Sequence, residues 1–267
     1  MKHIVLAMLL LATAAHAQTN IIAQWNFNSA IADGNNSTGT LVPSTGSGAA
    51  INIGGTTFTY NTGSPGDSNT ADNSGWNLTT FATQGTGSGS AGAQFAASTA
   101  GFNGQLVLQL DFRQSGTASR YFQLQVSSDG VNFANVSGGT ATILGPVNTN
   151  TNTPAPFFSN AGLYVNNAGG GSQTFVQGLQ YTFAAGSAYE NNASFGFRFV
   201  AVFDPGSVGG GTNYISSNAG TAANYATSGT ARFDMVTVET IIPEPSTVLL
   251  LGFGGLALLG THRRLRK

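Results

Sequence analysis

Gly104–Gln114 reads GQLVLQLDFRQ, and this stretch decides the fold. Leu106, Leu108, Leu110 and Phe112 take alternate positions, with Gln105, Gln109, Asp111 and Arg113 among the positions between. A period of two sends the two sets to opposite faces of an extended chain, so the segment is predicted to be a half-buried strand. Arg120–Val136, RYFQLQVSSDGVNFANV, repeats the pattern with Phe122, Leu124 and Val126 inward. There Asp129-Gly130 reads as a two-residue turn, and Val131, Phe133 and Val136 as the returning strand.

Outward from this pair, Ala193–Phe203 places Phe195, Phe197, Phe199, Ala201 and Phe203 on one side. Thr230–Ile242 is β-branched, but its apolar parity switches between Met235 and Val236. That suits a strand buried on both faces or one with a bulge. Weaker strands are expected at 21–27, 56–60, 91–98 and 173–183. Segments such as PSTGSGAA, TQGTGSGSAG and NTNTNTPAP read as loops by composition. No helix is expected between them. Many strands with turn-rich spacers imply an all-β fold, a single β-sandwich of jelly-roll or Greek-key type with eight to twelve strands.

The two ends of the chain differ from this body. Lys2 and His3, the apolar run Ile4–Ala14 and the small residues Ala15 and Ala17 have the order of a secretory signal peptide, with cleavage before Gln18. The expected organisation is residues 1–17 signal peptide, 18–240 β-sandwich and 241–267 tail. Thr247–Gly260 carries no charge. As a short hydrophobic helix it would reach about 21 Å, less than the roughly 30 Å of a bilayer core. Arg263, Arg264, Arg266 and Lys267 follow it, and would stay on the cytoplasmic side of a span.

Between Gln18 and Ile242, four Arg stand against nine acids, a net charge of −5 with no Lys. Such a surface offers no stripe of cations for phosphates, so nucleic acid is not an expected partner. The chain has no Cys, and His3, His16 and His262 all lie in the ends. Ser-His-Asp and Cys-His nucleophile systems therefore cannot be built in the body, nor zinc sites with nitrogen or sulfur ligands. Carboxylate chemistry and oxygen-ligand metal binding remain.

Asp67, Asn69 and Asp72 in GDSNTADN gather hard oxygen ligands suited to a structural calcium ion, though without EF-hand spacing. An ordinary Asx-rich turn is the plainer reading, and no cofactor is otherwise expected. Asp111, Asp129, Glu190, Asp204 and Asp234 are the acids from which a glycoside-hydrolase pair could be drawn. Asp129 and Asp204 are explained by turns, and Asp111 and Asp234 by cross-strand ion pairs with Arg113 and Arg232. Trp25, Trp76 and Tyr121, with Tyr181 and Tyr189, could form an aromatic platform for sugar rings, or the rings could be core.

Pro243-Glu244-Pro245-Ser246, the oily run Val248–Leu259 and the basic end Arg263–Lys267 resemble the PEP-CTERM sorting signal of Gram-negative bacteria. The resemblance implies recognition by an exosortase, cleavage near Pro243-Glu244-Pro245 after transient anchoring in the inner membrane, and a destination at the cell surface or in the extracellular matrix. Expected partners are the secretion machinery, the exosortase and exopolysaccharide. The leading expectation is a non-enzymatic surface or matrix protein. A carbohydrate-binding module is the alternative, and a carboxylate-dependent hydrolase the third reading.

Overall fold

The computed structural model describes residues 18–69, 71–145, 156–166, 174–218 and 220–242. The signal-peptide residues Ala15 and Ala17, the tail residues Pro243, Glu244, Pro245, Ser246, Arg263, Arg264, Arg266 and Lys267, and the expected hydrophobic helix lie outside them. Among the described residues there are strands and turns but no helix, and so none long and apolar enough to cross a membrane.

The strands in chain order are β1 (Gln18–Trp25), β2 (Thr45–Gly46), β3 (Ala49–Ile53), β4 (Thr57–Thr62), β5 (Ser74–Thr79), β6 (Gly92–Ala96), β7 (Gln105–Gln114) and β8 (Tyr121–Ser127). They continue as β9 (Ala134–Asn135), β10 (Thr140–Ile143), β11 (Phe157–Phe158), β12 (Leu163–Val165), β13 (Val176–Thr182), β14 (Gly196–Val202) and β15 (Ala231–Ile242). These fifteen exceed the expected eight to twelve because several are two-to-four-residue pieces with no room for an alternating pattern. One sheet runs β10-β13-β7-β15-β1-β2, with β5 also on β15 and β4 on β5. The other runs β11-β12-β8-β14-β6-β3, with β9 on β8. Every pairing is antiparallel.

The two sheets pack through the aromatic residues that the alternation pointed inward. Phe112 of the first sheet lies 4.9 Å from both Phe122 and Phe199 of the second, centroid to centroid, at steep interplanar angles. Trp25 and Trp76 meet Phe95 across the layer at 5.2 and 5.9 Å. Edge-to-face geometry aligns ring edges with ring faces, adding to the area each ring removes from water.

Two expectations change in detail, and a third resolves to one of its two alternatives. The β8–β9 hairpin exists, but residues 128–133 separate its strands, with Val126 paired to Ala134. The Asp129 side chain is the reason: it accepts hydrogen bonds from Val131 N, Asn132 N, Asn132 Nδ2 and Ser127 Oγ, which organises a wider turn. Val131 is consequently exposed, while Phe133 sits 3.7 Å beneath the Arg198 guanidinium. The loop predicted at PSTGSGAA contains β2 and the start of β3. The parity break in β15 is a bulge between Asp234 and Thr237, with Met235 at φ 46°. That strand continues through Ile241 and Ile242, which pair with Thr19 and Gln18.

Candidate functional site

The acids expected to form cross-strand ion pairs are arranged differently. In the β7–β15 register Asp111 lies opposite Asp234, and Arg113 opposite Arg232. Like charges directly opposite on one sheet face repel, so something must offset them. The β4–β5 connection does so by folding over the acids. Ser64 N donates to Asp234 Oδ2 at 2.5 Å, and Ser64 Oγ donates to Asp111 Oδ2 at 2.5 Å. Gly178 N donates to Asp111 Oδ1 and Met235 N to Asp234 Oδ1, each at 2.7 Å. Each of the four carboxyl oxygens therefore has a donor.

The sequence permits this approach through two glycines. A Cβ on Gly66 would fall 2.4 Å from Asp111 Oδ2, and one on Gly63 would fall 2.5 Å from Asp234 Oδ2. Neither position has space for a side chain. The bulge at Met235 turns its N–H toward the Asp234 carboxyl, which a regular ladder would not do.

Electrostatically this is a site of strong desolvation. Burial pushes the Asp234 carboxyl up to about 8, with the charges of Asp67 and Asp111 adding and the donors from Ser64 and Met235 opposing. Asp111 is also raised, chiefly by burial, against hydrogen bonds from Ser64 and Gly178. Beside them, burial and the neighbouring Arg113 lower Arg232 to about 10. Arg232 still donates to Asn77 Oδ1 and to the Thr62 carbonyl, tying β15 to β5 and the end of β4.

A cleft of about 250 Å³ opens next to Asp111, lined also by Gly66, Gln109, Leu144, Gln177 and Met235. Asp234 is not in its wall; it lies beneath Ser64. The two acids thus share one sheet face and do not confront each other across a substrate-sized gap.

The residues proposed from sequence for calcium fall in this same connection. Asp67 is buried and already engaged: its Oδ2 accepts from Asn28 Nδ2 at 2.7 Å, its Oδ1 from Asn69 N at 2.9 Å. Asn69 contributes that backbone N–H. Asp72 is buried as well. Among the described residues no three acidic, His or Cys side chains converge as a metal cluster would.

The expected aromatic platform is not at the surface. Trp25 and Trp76 are 0% exposed, and Tyr181 is 1% exposed with its hydroxyl donating to Asn160 O. A ring sealed between two sheets cannot stack on a sugar, so these three are corrected to core residues. Tyr189 is half-buried against Phe183 and Phe195. Tyr121 is half-buried too; burial and its hydrogen bond with Asp204 push its hydroxyl up to about 12. Asp204 closes its own turn by accepting from Gly206 N and Gly209 N. Glu190 similarly accepts from Gly186 N and Ser187 N.

Sequence reasoning missed Ser64, Asn28 and Asn73, which hold the acidic connection. Asn28 bridges Asp67 and Ser74 N, and Asn73 Nδ2 donates to Ser64 O. The local signal was a run of small and Asx residues, Gly63–Ser74, too polar to be a strand and too dense in acceptors to be an inert spacer.

Two solved structures are similar in part. One is a proposed sugar-binding protein of Bacteroides thetaiotaomicron VPI-5482, at 10% identity and a TM-score of 0.36, covering 81% of this chain and 100% of that one. The other is the K1 cleaved adhesin domain of Lys-gingipain from Porphyromonas gingivalis W83, at 13% identity and a TM-score of 0.33, covering 83% of this chain and 97% of that one. No curated protein gives a match. At the C-terminus, residues 242–267 match the family model described as the PEP-CTERM protein-sorting motif.

Proposed function

We propose that this is an exported, non-enzymatic protein of the cell surface or extracellular matrix, sorted by an exosortase through its C-terminus. The observation that carries the reading is the sorting motif at residues 242–267. The β-sandwich supports it in two ways. Its core closes on aromatic and aliphatic packing with no cysteine in the chain, which suits a chain that must fold after translocation without a disulfide. The Asp111–Asp234 pair has every carboxyl oxygen hydrogen-bonded and only Asp111 in a cleft wall, an arrangement that favours a structural clamp over a hydrolytic pair. Burial of Trp25, Trp76 and Tyr181 weighs against carbohydrate binding through those rings.

The test is sorting. The full chain, with an epitope tag in the Gly85–Gly89 turn, is expressed in a bacterium that has an exosortase and in an exosortase-deficient derivative. The expected result is surface or released protein in the first, shortened by mass spectrometry to an end near Pro243–Pro245, and full-length membrane-retained protein in the second. Replacing Glu244 and Pro245 with Ala should reproduce the second outcome in the first host. Identical fractionation and mass in both hosts would overturn the proposal.

A further inference from the structure

Beside the Ser64 clamp lies a buried acceptor without a donor. Asn73 Oδ1 is shut off from solvent and receives no hydrogen bond among the described residues. A buried carbonyl oxygen left in this state costs the desolvation of the group. The amide cannot simply turn over, because Asn73 Nδ2 donates to the Ser64 carbonyl oxygen at 2.7 Å. The reversed amide would set Oδ1 against that carbonyl, oxygen to oxygen. The group beside Asn73 Oδ1 is the Asp234 carboxyl. A Cβ built on Gly63 would fall 1.7 Å from Asn73 Oδ1 and 2.5 Å from Asp234 Oδ2, so the two oxygens are separated by no more than the sum of those distances.

The charges around Asp234 do not favour an anion there. Asp111 stands opposite on β7, and Asp67 lies in the same connection. Arg232, two positions back on β15, sends its guanidinium to Asn77 and the Thr62 carbonyl, and Arg113 on β7 stands opposite Arg232. An ionised Asp234, fully buried, would therefore face a second carboxylate and an amide oxygen. A proton on Oδ2 relieves both contacts. The acid then has one hydroxyl to donate to Asn73 Oδ1 and keeps a lone pair on the same oxygen for Ser64 N, which already donates to it.

We propose that Asn73 holds Asp234 as the neutral acid, with Asp234 Oδ2–H donating to Asn73 Oδ1, and that this proton latches the β4–β5 connection onto β15. Burial raises the Asp234 carboxyl in the same direction. Loss of the proton leaves two acceptors facing each other. Ser64 and Asn73 then lift from the sheet together, because Asn73 Nδ2 grips the Ser64 carbonyl. The Ser64 hydroxyl leaves Asp111 in the same movement, and Gly66 of this connection lines the cleft beside Asp111. The latch thus makes access to that cleft depend on pH, closed in acid and at neutrality and open in alkali. The chemistry does not depend on where the protein is sorted.

The experiment uses the full chain in mild detergent, labelled with carbon-13 at the Asp carboxyl carbons and titrated by NMR. One resonance should titrate with a midpoint of about 8, and Asp234→Asn should remove it. Asn73→Ala should move that midpoint down by about one unit, a roughly tenfold stronger acid, because the neutral form loses its acceptor. An Asn73 that served only the Ser64 carbonyl would change stability and leave the midpoint in place. Asn61→Ala, whose amide oxygen accepts only from Thr62 N, should also leave it in place. Hydrogen exchange in the parent, corrected for the intrinsic pH dependence of the amides, should accelerate across residues 63–74 above the midpoint. The proposal is overturned if the Asp234 resonance is already that of a carboxylate at about pH 6, or if exchange across residues 63–74 shows no break at the midpoint. It is also overturned if Asn73→Ala leaves the midpoint unchanged or raises it, since a rise would mean that the amide nitrogen donates to a carboxylate. The parent titration and exchange decide the matter even if Asn73→Ala does not fold.

Discussion

At the scale of single residues, Asp234 makes stability depend on pH. An Asp in an unfolded chain titrates near 3.9, whereas burial holds this one at about 8 in the fold. The folded state therefore binds the proton more tightly. Its contribution is complete below about pH 4 and is lost as the pH rises through about 8. The upward shift of Asp111 acts in the same direction. Urea denaturation at pH 5 and pH 9 should show a loss at the higher pH on the order of 2–5 kcal/mol, and Asp234→Asn should flatten that slope. A parent equally stable at both values would contradict the burial argument. Trp76 makes a second prediction. Its ring touches Phe27, Phe58, Phe95 and Phe233 within 6.0 Å, so Trp76→Ala should cost about 3–5 kcal/mol in the same assay. Sequence alone left Trp76 between platform and core, because SGWNLT offers Leu78 as its one alternating apolar neighbour, too short a pattern to mark a face. Its place was decided by β15 and β4, the strands it lies between.

At the scale of elements, closeness of backbones decides what a strand tolerates. Gly92 in β6 pairs with Val200 of β14 on one side and Ile53 of β3 on the other. A Cβ there would fall 2.2 Å from the Phe199 carbonyl oxygen. Gly92→Ala must push β6 away from β14, and the expected cost is about 1–3 kcal/mol in denaturant, with faster amide exchange along β6. The long alternating elements, β7, β8 and β14, were legible because each has at least seven residues and a clear apolar face. The short ones were not. β2, β9 and β11 have two residues each and exist because a neighbouring strand offers them hydrogen bonds. The six residues between β8 and β9 make the same point, since four hydrogen bonds to one Asp side chain outweigh the preference of Asp-Gly for a tight turn.

At the scale of the whole molecule, the two ends of the described fold lie side by side. Gln18 pairs with Ile242 and Thr19 with Ile241, so the last turn of the pairing joins the expected signal-peptide junction to the residue where the sorting motif begins. The body passes from strand into motif without a spacer. Removing Gln18–Asn20 should leave the end of β15 held only by β7, through Thr240 with Leu106 and Ile241 with Gln105. Limited proteolysis followed by mass spectrometry should then cut that variant between residues 239 and 242 sooner than the parent. Unchanged cutting would mean that β1 does not protect this end.

The sequence by itself determined the class of fold, the inward face of its long strands, the sorting motif and the absence of His and Cys from the body. Each of these is carried by local period, local order or composition, which need no knowledge of distant residues. Only the tertiary structure decided that Asp111 faces Asp234 and not an Arg, and that Ser64 clamps both. Those juxtapositions depend on strand register and on how one loop folds across a sheet. A period-two pattern specifies which face a residue takes, but it leaves open which residue stands opposite.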